Sequence, residues 1–398
     1  MSSEPWTLTA RWIFPADSAP LRGGTITIQG DKILAVEPAG TRGADEDLGH
    51  VAILPGLVNA HTHLDLSDAR GKIPPTPDFT AWLRGVIQHR RGQRAWEARL
   101  AIHDGIREVL RFGTTLVGDI SSDGVSWEML VKCSARSVVF REMLGLNSKK
   151  ADQTLAEIHD WLVNRTATPV CRPGLSPHAP YSVRVSLFMA ASIAAVPIAV
   201  HLAETQDESD LLVRRGGPFV DFLRDLGVWD PEGLANDAKH VIGLLKGLSP
   251  KLFVHCNYLP METPIPPHAT IVYCPRTHAA FGHPPHPFRE FLKRGVRVVL
   301  GTDSLASNPD LDILAEARFV HARHPDLPGA TLLRMITLDG AIALGWGDVT
   351  GSLTPGKSAD LVVLPLPDRD EQDPHRLVFD SALAVQKVLF RGEWRQCV

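Results

Sequence analysis

His61-Thr62-His63 places two imidazoles two residues apart. At the end of a strand such residues share a face, so both rings converge as a divalent ion such as zinc requires. A lone His-x-His is a weak signal, but here Pro55-Gly56 and the apolar Leu57-Val58 precede it, so the pair emerges from a buried element. His201-Leu202-Ala203-Glu204 offers a third nitrogen and then a carboxyl at a strand mouth. Partial desolvation there raises a carboxyl pKa into the range of acid/base work. The other reading of Glu204 is a helix cap, since a helical stretch follows from Asp207. Asp303, in Gly301-Thr302-Asp303-Ser304, completes a set of three histidines and one aspartate. With an open position for water, such a set is a hydrolytic centre, in which Asp303 is both ligand and proton acceptor. His255 reads as a second acid/base or electrostatic helper, with a buried core histidine as the alternative. The order is not His-Glu-x-x-His, which excludes the zincin arrangement.

These residues need a frame that brings distant positions together. Eight short apolar runs alternate with helical stretches: Leu57–Ala60, Thr115–Val117, Ser137–Phe140, Arg172–Leu175, Ile198–Val200, Leu252–Val254, Thr270–Tyr273 and Val296–Leu300. The fourth carries Pro173 and Gly174 and is the weakest. Strand–helix alternation predicts parallel βαβ units, and eight of them predict an α/β fold of the (β/α)8 TIM-barrel type. Each run is followed by side chains able to do chemistry, including Asp119, Glu142, His178 and Arg276 besides the residues above. In a parallel barrel the carboxyl ends of the strands share the face where active sites lie.

The ends of the chain differ from its middle. Thr25–Ile28 and Lys32–Val36 flank Gly30-Asp31 as a hairpin, and Asp360–Leu364 and Val385–Phe390 read as further strands. Neither end buries a sheet face alone. We therefore expect one composite β-sandwich domain from residues 1–55 and 352–398, around a barrel of residues 56–351.

Composition narrows the partners. Of 398 residues 44% are hydrophobic and the net charge is -4, with no long basic run. Nucleic acid is disfavoured, and the cluster His89-Arg90-Arg91 with Arg94 reads as a solvated helix face. No apolar stretch approaches the roughly 20 residues of a membrane helix. Cys133, Cys171, Cys256, Cys274 and Cys397 form no C-x-x-C pair and no disulfide framework, and the first residues lack a secretory pattern. The expectation is a cytoplasmic protein, with a homo-oligomer left open.

Taken together, Pro55-Gly56-Leu57-Val58-Asn59-Ala60-His61-Thr62-His63, His201-Leu202-Ala203-Glu204, Val254-His255-Cys256, Gly301-Thr302-Asp303-Ser304 and Pro355-Gly356-Lys357-Ser358-Ala359-Asp360-Leu361-Val362 resemble the amidohydrolase superfamily. The resemblance spans about residues 20 to 390 in the family's order. Members with two metals usually carry a bridging carboxylated lysine. No Lys stands at a strand end here, so one divalent ion is expected, with zinc ahead of iron. The His-x-x-Glu after the fifth strand resembles the deaminase branch, which includes guanine, adenosylhomocysteine and aminodeoxyfutalosine deaminases and the triazine hydrolases. In that branch the residues matching His61, His63, His201 and Asp303 hold the metal, and those matching Glu204 and His255 work on protons. The implied reaction replaces an exocyclic amine on an aromatic heterocycle by a carbonyl and releases ammonia. The unrelated zinc deaminases need Pro-Cys-x-x-Cys, which is absent.

The resemblance also suggests substrate contacts. His178 lies in Ser176-Pro177-His178-Ala179-Pro180-Tyr181-Ser182, similar to a ligand-contacting segment of nucleoside-processing members. Asp65 is a candidate to bond a ribose hydroxyl or to steady the first strand. Phe79 and Trp82 are candidates to wall the pocket, or equally to be core. Arg276 stands in Cys274-Pro275-Arg276-Thr277-His278, where the family usually has Ser-Asn in place of Thr277-His278. His283 and His286 sit in a Pro-rich loop and read as surface. The neighbourhood most resembles aminodeoxyfutalosine deaminases of menaquinone synthesis, with another nucleoside or purine deaminase next and a triazine hydrolase third. A cyclic-amide hydrolase and a catalytically silent binding relative are the remaining readings.

Overall fold

In a computed structural model the chain is described over residues 4–395, so Cys397 lies outside the described residues. The eight apolar runs form eight strands: Leu57–Thr62, Thr114–Ser121, Arg136–Met143, Cys171–Pro177, Ile198–Leu202, Lys251–His255, Ala269–Tyr273 and Arg297–Leu300. They pair in sequence order and in parallel. A parallel bridge between Thr62 and Asp303 joins the last strand back to the first, so the sheet closes into a (β/α)8 barrel. Every residue of the first strand is buried, as parallel strands covered by helices require.

The fourth strand forms despite its proline and glycine because the glycine is needed. A Cβ at Gly174 would stand 2.7 Å from Phe140 Cδ1 on the neighbouring strand. The closure is equally tight. Thr302 and Asp303 both donate their N–H groups to the His61 carbonyl at 3.1 Å. Asn59 adds a side-chain pair with Thr302, donating to Oγ1 at 2.7 Å and accepting from N–H at 3.1 Å.

The two ends of the chain meet in one sheet. Val51–Pro55 pairs antiparallel with Leu361–Pro365, which in turn pairs with Lys387–Phe390. A second sheet holds the hairpin Thr25–Gln29 and Lys32–Glu37 together with Trp6–Thr9 and Glu46–Asp47. Ile26, Ile28, Ile53, Leu361 and Leu389 share one apolar core, which explains why each end alone has an unfinished face. Asp360 ties this region to the barrel. Its carboxylate faces the buried Arg136 guanidinium, and its carbonyl accepts the Gly56 N–H at 2.9 Å. Among the described residues no helix is long and apolar enough to cross a membrane, and Cys133, Cys171, Cys256 and Cys274 are free.

Candidate metal centre and substrate cavity

The strand ends deliver His61 and His63 from the first strand, His201 from the fifth, His255 from the sixth and Asp303 just past the eighth. Donor atoms of His61, His63 and His201 all lie within 4.8 Å of one another. His63 Nε2 stands 3.3 Å from His201 Nε2. Asp303 Oδ1 stands 3.5 Å from His61 Nε2 and 3.5 Å from His63 Nε2. Four donors about 2.0–2.1 Å from one ion at tetrahedral angles would be about 3.3–3.4 Å apart. Both ring nitrogens of His61 are buried and lack a hydrogen-bond partner among the described residues. Buried orphan nitrogens are costly unless something else occupies them, so the donor set fits a divalent metal.

The surrounding groups fix the rings. His201 Nδ1 meets the His178 carbonyl at 3.0 Å, which makes Nδ1 the protonated nitrogen and leaves the Nε2 lone pair facing the centre. Ser307 donates to Asp303 Oδ2 at 3.1 Å. Backbone strain concentrates in the same place. Ala203 (φ 50°), His255 (φ 69°), Cys256 (φ 55°) and Asp303 (φ 59°) all take the left-handed conformation at strand ends. Each such residue costs about 1–3 kcal/mol, which the surrounding structure must offset.

Electrostatics separates the two carboxyls. Burial, the nearby Asp303 charge and Glu208 push the Glu204 carboxyl well above the usual range. For Asp303 burial also acts upward, but the close approach of His61 Nε2, at 3.5 Å, together with His255 and the other histidines outweighs it and holds the group well below the usual range. Burial lowers His63, His201 and His255, so these rings are neutral and can ligate or accept protons. Two carboxyls with opposed shifts in one cleft are the arrangement of an acid beside a base. Glu204 Oε1 lies 3.4 Å from His255 Nε2. Glu204 does not cap the following helix; Thr205 does, accepting the Glu208 N–H at 3.2 Å.

A cavity of about 50 Å³ is lined by His63, His201, Glu204, His255 and Asp303, with His178 and Trp82 also on its wall. Trp82 is set against Phe79 and Phe281, at ring-centroid distances of 5.4 Å and 5.0 Å, and donates its Nε1–H to the Ile73 carbonyl at 3.2 Å. The cavity adjoins a second, of about 450 Å³, whose wall is mostly apolar, with Leu146, Phe222 and Leu226 on it.

Two expected substrate contacts lie elsewhere. Arg276 is absent from both cavity walls, because its guanidinium is held by Asp310 at 2.7 Å and by the buried Glu316 at 2.5 Å. Asp65 also lines neither cavity; its carboxylate faces Arg90 at 3.1 Å. Arg90 itself is a correction to the solvated-face reading. It lies on both cavity walls, between Asp65 and Glu142. The signal was present in the helix Phe79–Gly92, where Arg90 follows the buried Trp82 and Val86 at steps of four. His286 is a second correction. It is buried, stacked on Tyr273 with centroids 4.1 Å apart, and donates to the His255 carbonyl at 2.7 Å.

Comparison with known proteins follows the same lines. The chain is 31% identical to a 5-methylthioadenosine/S-adenosylhomocysteine deaminase of Pelotomaculum thermopropionicum over 389 residues, which cover 89% of this chain and 82% of that protein. It is 27% identical to an aminodeoxyfutalosine deaminase of Nitratiruptor sp., covering 86% of each. The fold of Helicobacter pylori aminofutalosine deaminase superposes with a TM-score of 0.86 at 22% identity, over 99% of this chain and 100% of that one, and that enzyme has also been solved with methylthio-coformycin. The sequence model of the amidohydrolase family matches residues 52–395, from the strand that precedes the His-x-His to the closing sheet, and on that extent the chain belongs to the amidohydrolase family.

Proposed function

We propose that this chain is a metal-dependent aminohydrolase that deaminates an adenine-type nucleoside, with zinc as its ion and aminodeoxyfutalosine foremost among the candidate substrates. The observation that carries the reading is the placement of Glu204, a carboxyl pushed toward its protonated form, across one small cavity from Asp303, a carboxyl held ionised. Hydrolysis of a ring amine needs both an acid for the ring nitrogen and a base for water. Deaminases among the relatives support the same reading, as does the complex of the structural neighbour with methylthio-coformycin. The unpaired cysteines fit a reducing compartment such as the cytoplasm.

His61, His63, His201 and Asp303 would hold the metal. Bound there, a divalent ion supplies Lewis acidity and makes water a competent nucleophile near neutral pH. Asp303 accepts one proton of the attacking water as its oxygen bonds to the amine-bearing carbon. Glu204 gives its proton to the adjacent ring nitrogen, so the ring loses aromaticity without gaining charge. His255 hydrogen-bonds the adding oxygen. Asp303 then passes its proton to the amine, the carbon–nitrogen bond breaks and ammonia leaves. The remaining hydroxyl proton returns to Glu204, which restores the enzyme and leaves a ring carbonyl. Water and amine are thus converted to carbonyl and ammonia with no proton unaccounted for.

The test is ammonia release by the zinc-loaded protein over a panel of adenine nucleosides with varied 5′ groups, free purines and aminotriazines. Nucleosides should release one ammonia per substrate. Turnover confined to free purines or triazines, or none despite full metal loading, would overturn the reading.

A further inference from the structure

Glu142, at the carboxyl end of the third strand, is buried, and its side chain lies on the walls of both cavities. Its two oxygens differ. Oε2 faces Arg90 Nη1 at 3.5 Å and Ser122 Oγ at 3.4 Å. Oε1 has no hydrogen-bond partner among the described residues, and the nearest cationic-type group, His178 Nε2, is 3.9 Å away. That ring stands beyond hydrogen-bond distance of Oε1. Its other nitrogen is committed to Ser182 Oγ at 2.7 Å. A buried carboxylate oxygen with no partner is an acceptor waiting for a donor, and leaving it unpaired is costly.

Position says which donor. His178 lies beside His201, its ring tilted by 50° with centroids 5.1 Å apart, and Glu142 follows at 3.9 Å from His178 Nε2. A substrate whose reacting ring lies against His201 and Glu204 therefore brings its next portion past Glu142 before entering the larger apolar cavity. In a nucleoside that portion is the sugar, whose hydroxyls are donors. Asp65 cannot take this part, because its carboxylate is engaged by Arg90 and lies off the cavity wall.

We propose that Glu142 is a specificity-determining residue whose Oε1 accepts a hydrogen bond from a sugar hydroxyl of the substrate, so that the site selects hydroxylated nucleosides over their deoxy analogues and over free bases. Arg90, anchored by Asp65, is the positioning residue that holds the Glu142 carboxylate at the junction. The assignment rests on the nucleoside reading above and names the part of the nucleoside that is read.

The experiment compares kcat/KM for an accepted adenine nucleoside with its 2′-deoxy and 3′-deoxy analogues, in the zinc-loaded wild type, Glu142→Ala and Glu142→Gln. The wild type should prefer the hydroxylated substrate over one of the analogues by at least about 10²-fold, as a site built to bond a hydroxyl does. Glu142→Ala should bring that ratio to within about threefold of unity, and Glu142→Gln, which keeps shape but loses charge, should lower it at least about tenfold. General damage to the site would slow both substrates alike and leave the ratio standing, so the ratio separates recognition from structure. Metal content and far-UV circular dichroism establish that each variant folds, and the glutamine variant serves if the alanine one does not. A wild-type ratio near unity, or a folded variant with the wild-type ratio, overturns the assignment. Turnover of free purines or triazines but of no nucleoside overturns it together with the functional reading, and is recognisable as that because the wild type itself then fails on the whole nucleoside set.

Discussion

Glu208 Oε2 accepts the backbone N–H of Glu204 at 3.2 Å, while Oε1 accepts that of Ala203 at 2.9 Å. One buried carboxylate thus holds the turn at which Ala203 adopts its left-handed conformation, and that turn aims Glu204 into the cavity. The order of causes runs from a local strain, through a hydrogen bond that offsets it, to the direction of an acid.

Burial pushes the Glu208 carboxyl from an ordinary value of 4.5 up to about 7, against the two backbone hydrogen bonds that act downward. Between those values the folded chain holds a proton that the unfolded chain has released. Folding stability therefore falls as pH rises through this window and levels above it, with a slope of up to about 1.4 kcal/mol per pH unit from this group. Glutamine at this position cannot titrate. Urea unfolding of the metal-free wild type and Glu208→Gln from pH 4.5 to 8 should show the wild type losing stability relative to the variant as pH rises. Parallel profiles would show that Glu208 does not titrate in this range. Glutamine also leaves one of the two N–H groups facing an amide donor, so the variant should be less stable by about 1–3 kcal/mol at pH 7 and above.

Glu204→Gln should retain metal, because the three histidines and Asp303 are untouched, yet lose at least about 10²-fold in kcat as its proton donor disappears. Metal analysis and ammonia release on the same sample check both halves. Wild-type turnover in this variant would remove Glu204 from the chemistry.

The barrel was legible because most strands centre on a short apolar run, and because the residues following those runs are chemically distinctive. The proposed metal-side set stands out for a similar reason: imidazoles and acids at the ends of apolar strands have few structural roles, and His61, His63 and His201 do come together. Arg90 and Glu142 were obscured by long-range pairing. A charged residue near a helix end reads alike whether it meets water or a buried carboxylate 52 positions away. His286 was obscured because its partners, Tyr273 and the His255 carbonyl, are brought to it by two different strands. Arg276 misled for the converse reason. It stands just past a strand end on the right side of the barrel, but Glu316 from the helix Ile313–Arg323, beyond the eighth strand, reaches it first.

Gly301 bears on the proposed metal centre without lining it. A Cβ there would lie 2.8 Å from His61 Cβ and 3.0 Å from the His61 carbonyl oxygen. These are rigid parts of the first strand, so Gly301→Ala must push the eighth strand away from the first. Asp303 and His61 then separate, and the donor set opens. Zinc affinity, read by competition with a chromophoric chelator, should fall at least about tenfold, in line with losses seen when ligand orientation is disturbed. Unchanged affinity would mean that the barrel closure relaxes elsewhere.

Arg276 provides the contrast between a residue that lies near a site and one that works in it. Its Nε meets Glu316 at 2.5 Å, its Nη2 meets Asp310 at 2.7 Å, and its backbone N–H donates to Glu316 at 3.0 Å. Glu316 is fully buried and also accepts from Asn308 at 2.6 Å, so removing the guanidinium leaves a charge with only neutral partners in the interior. Arg276→Met should therefore destabilise the fold by about 3–5 kcal/mol. The fraction that remains folded should keep the wild-type KM, because the side chain lies on neither cavity wall. The double change Arg276→Met with Glu316→Gln removes the orphaned charge and should recover part of the lost stability. Chemical denaturation of the three variants, with KM measured on each, decides the matter: a raised KM at unchanged stability would return Arg276 to the substrate, whereas a stability loss that the second substitution partly repairs marks it as an anchor between the seventh strand's loop and the helix Ile313–Arg323.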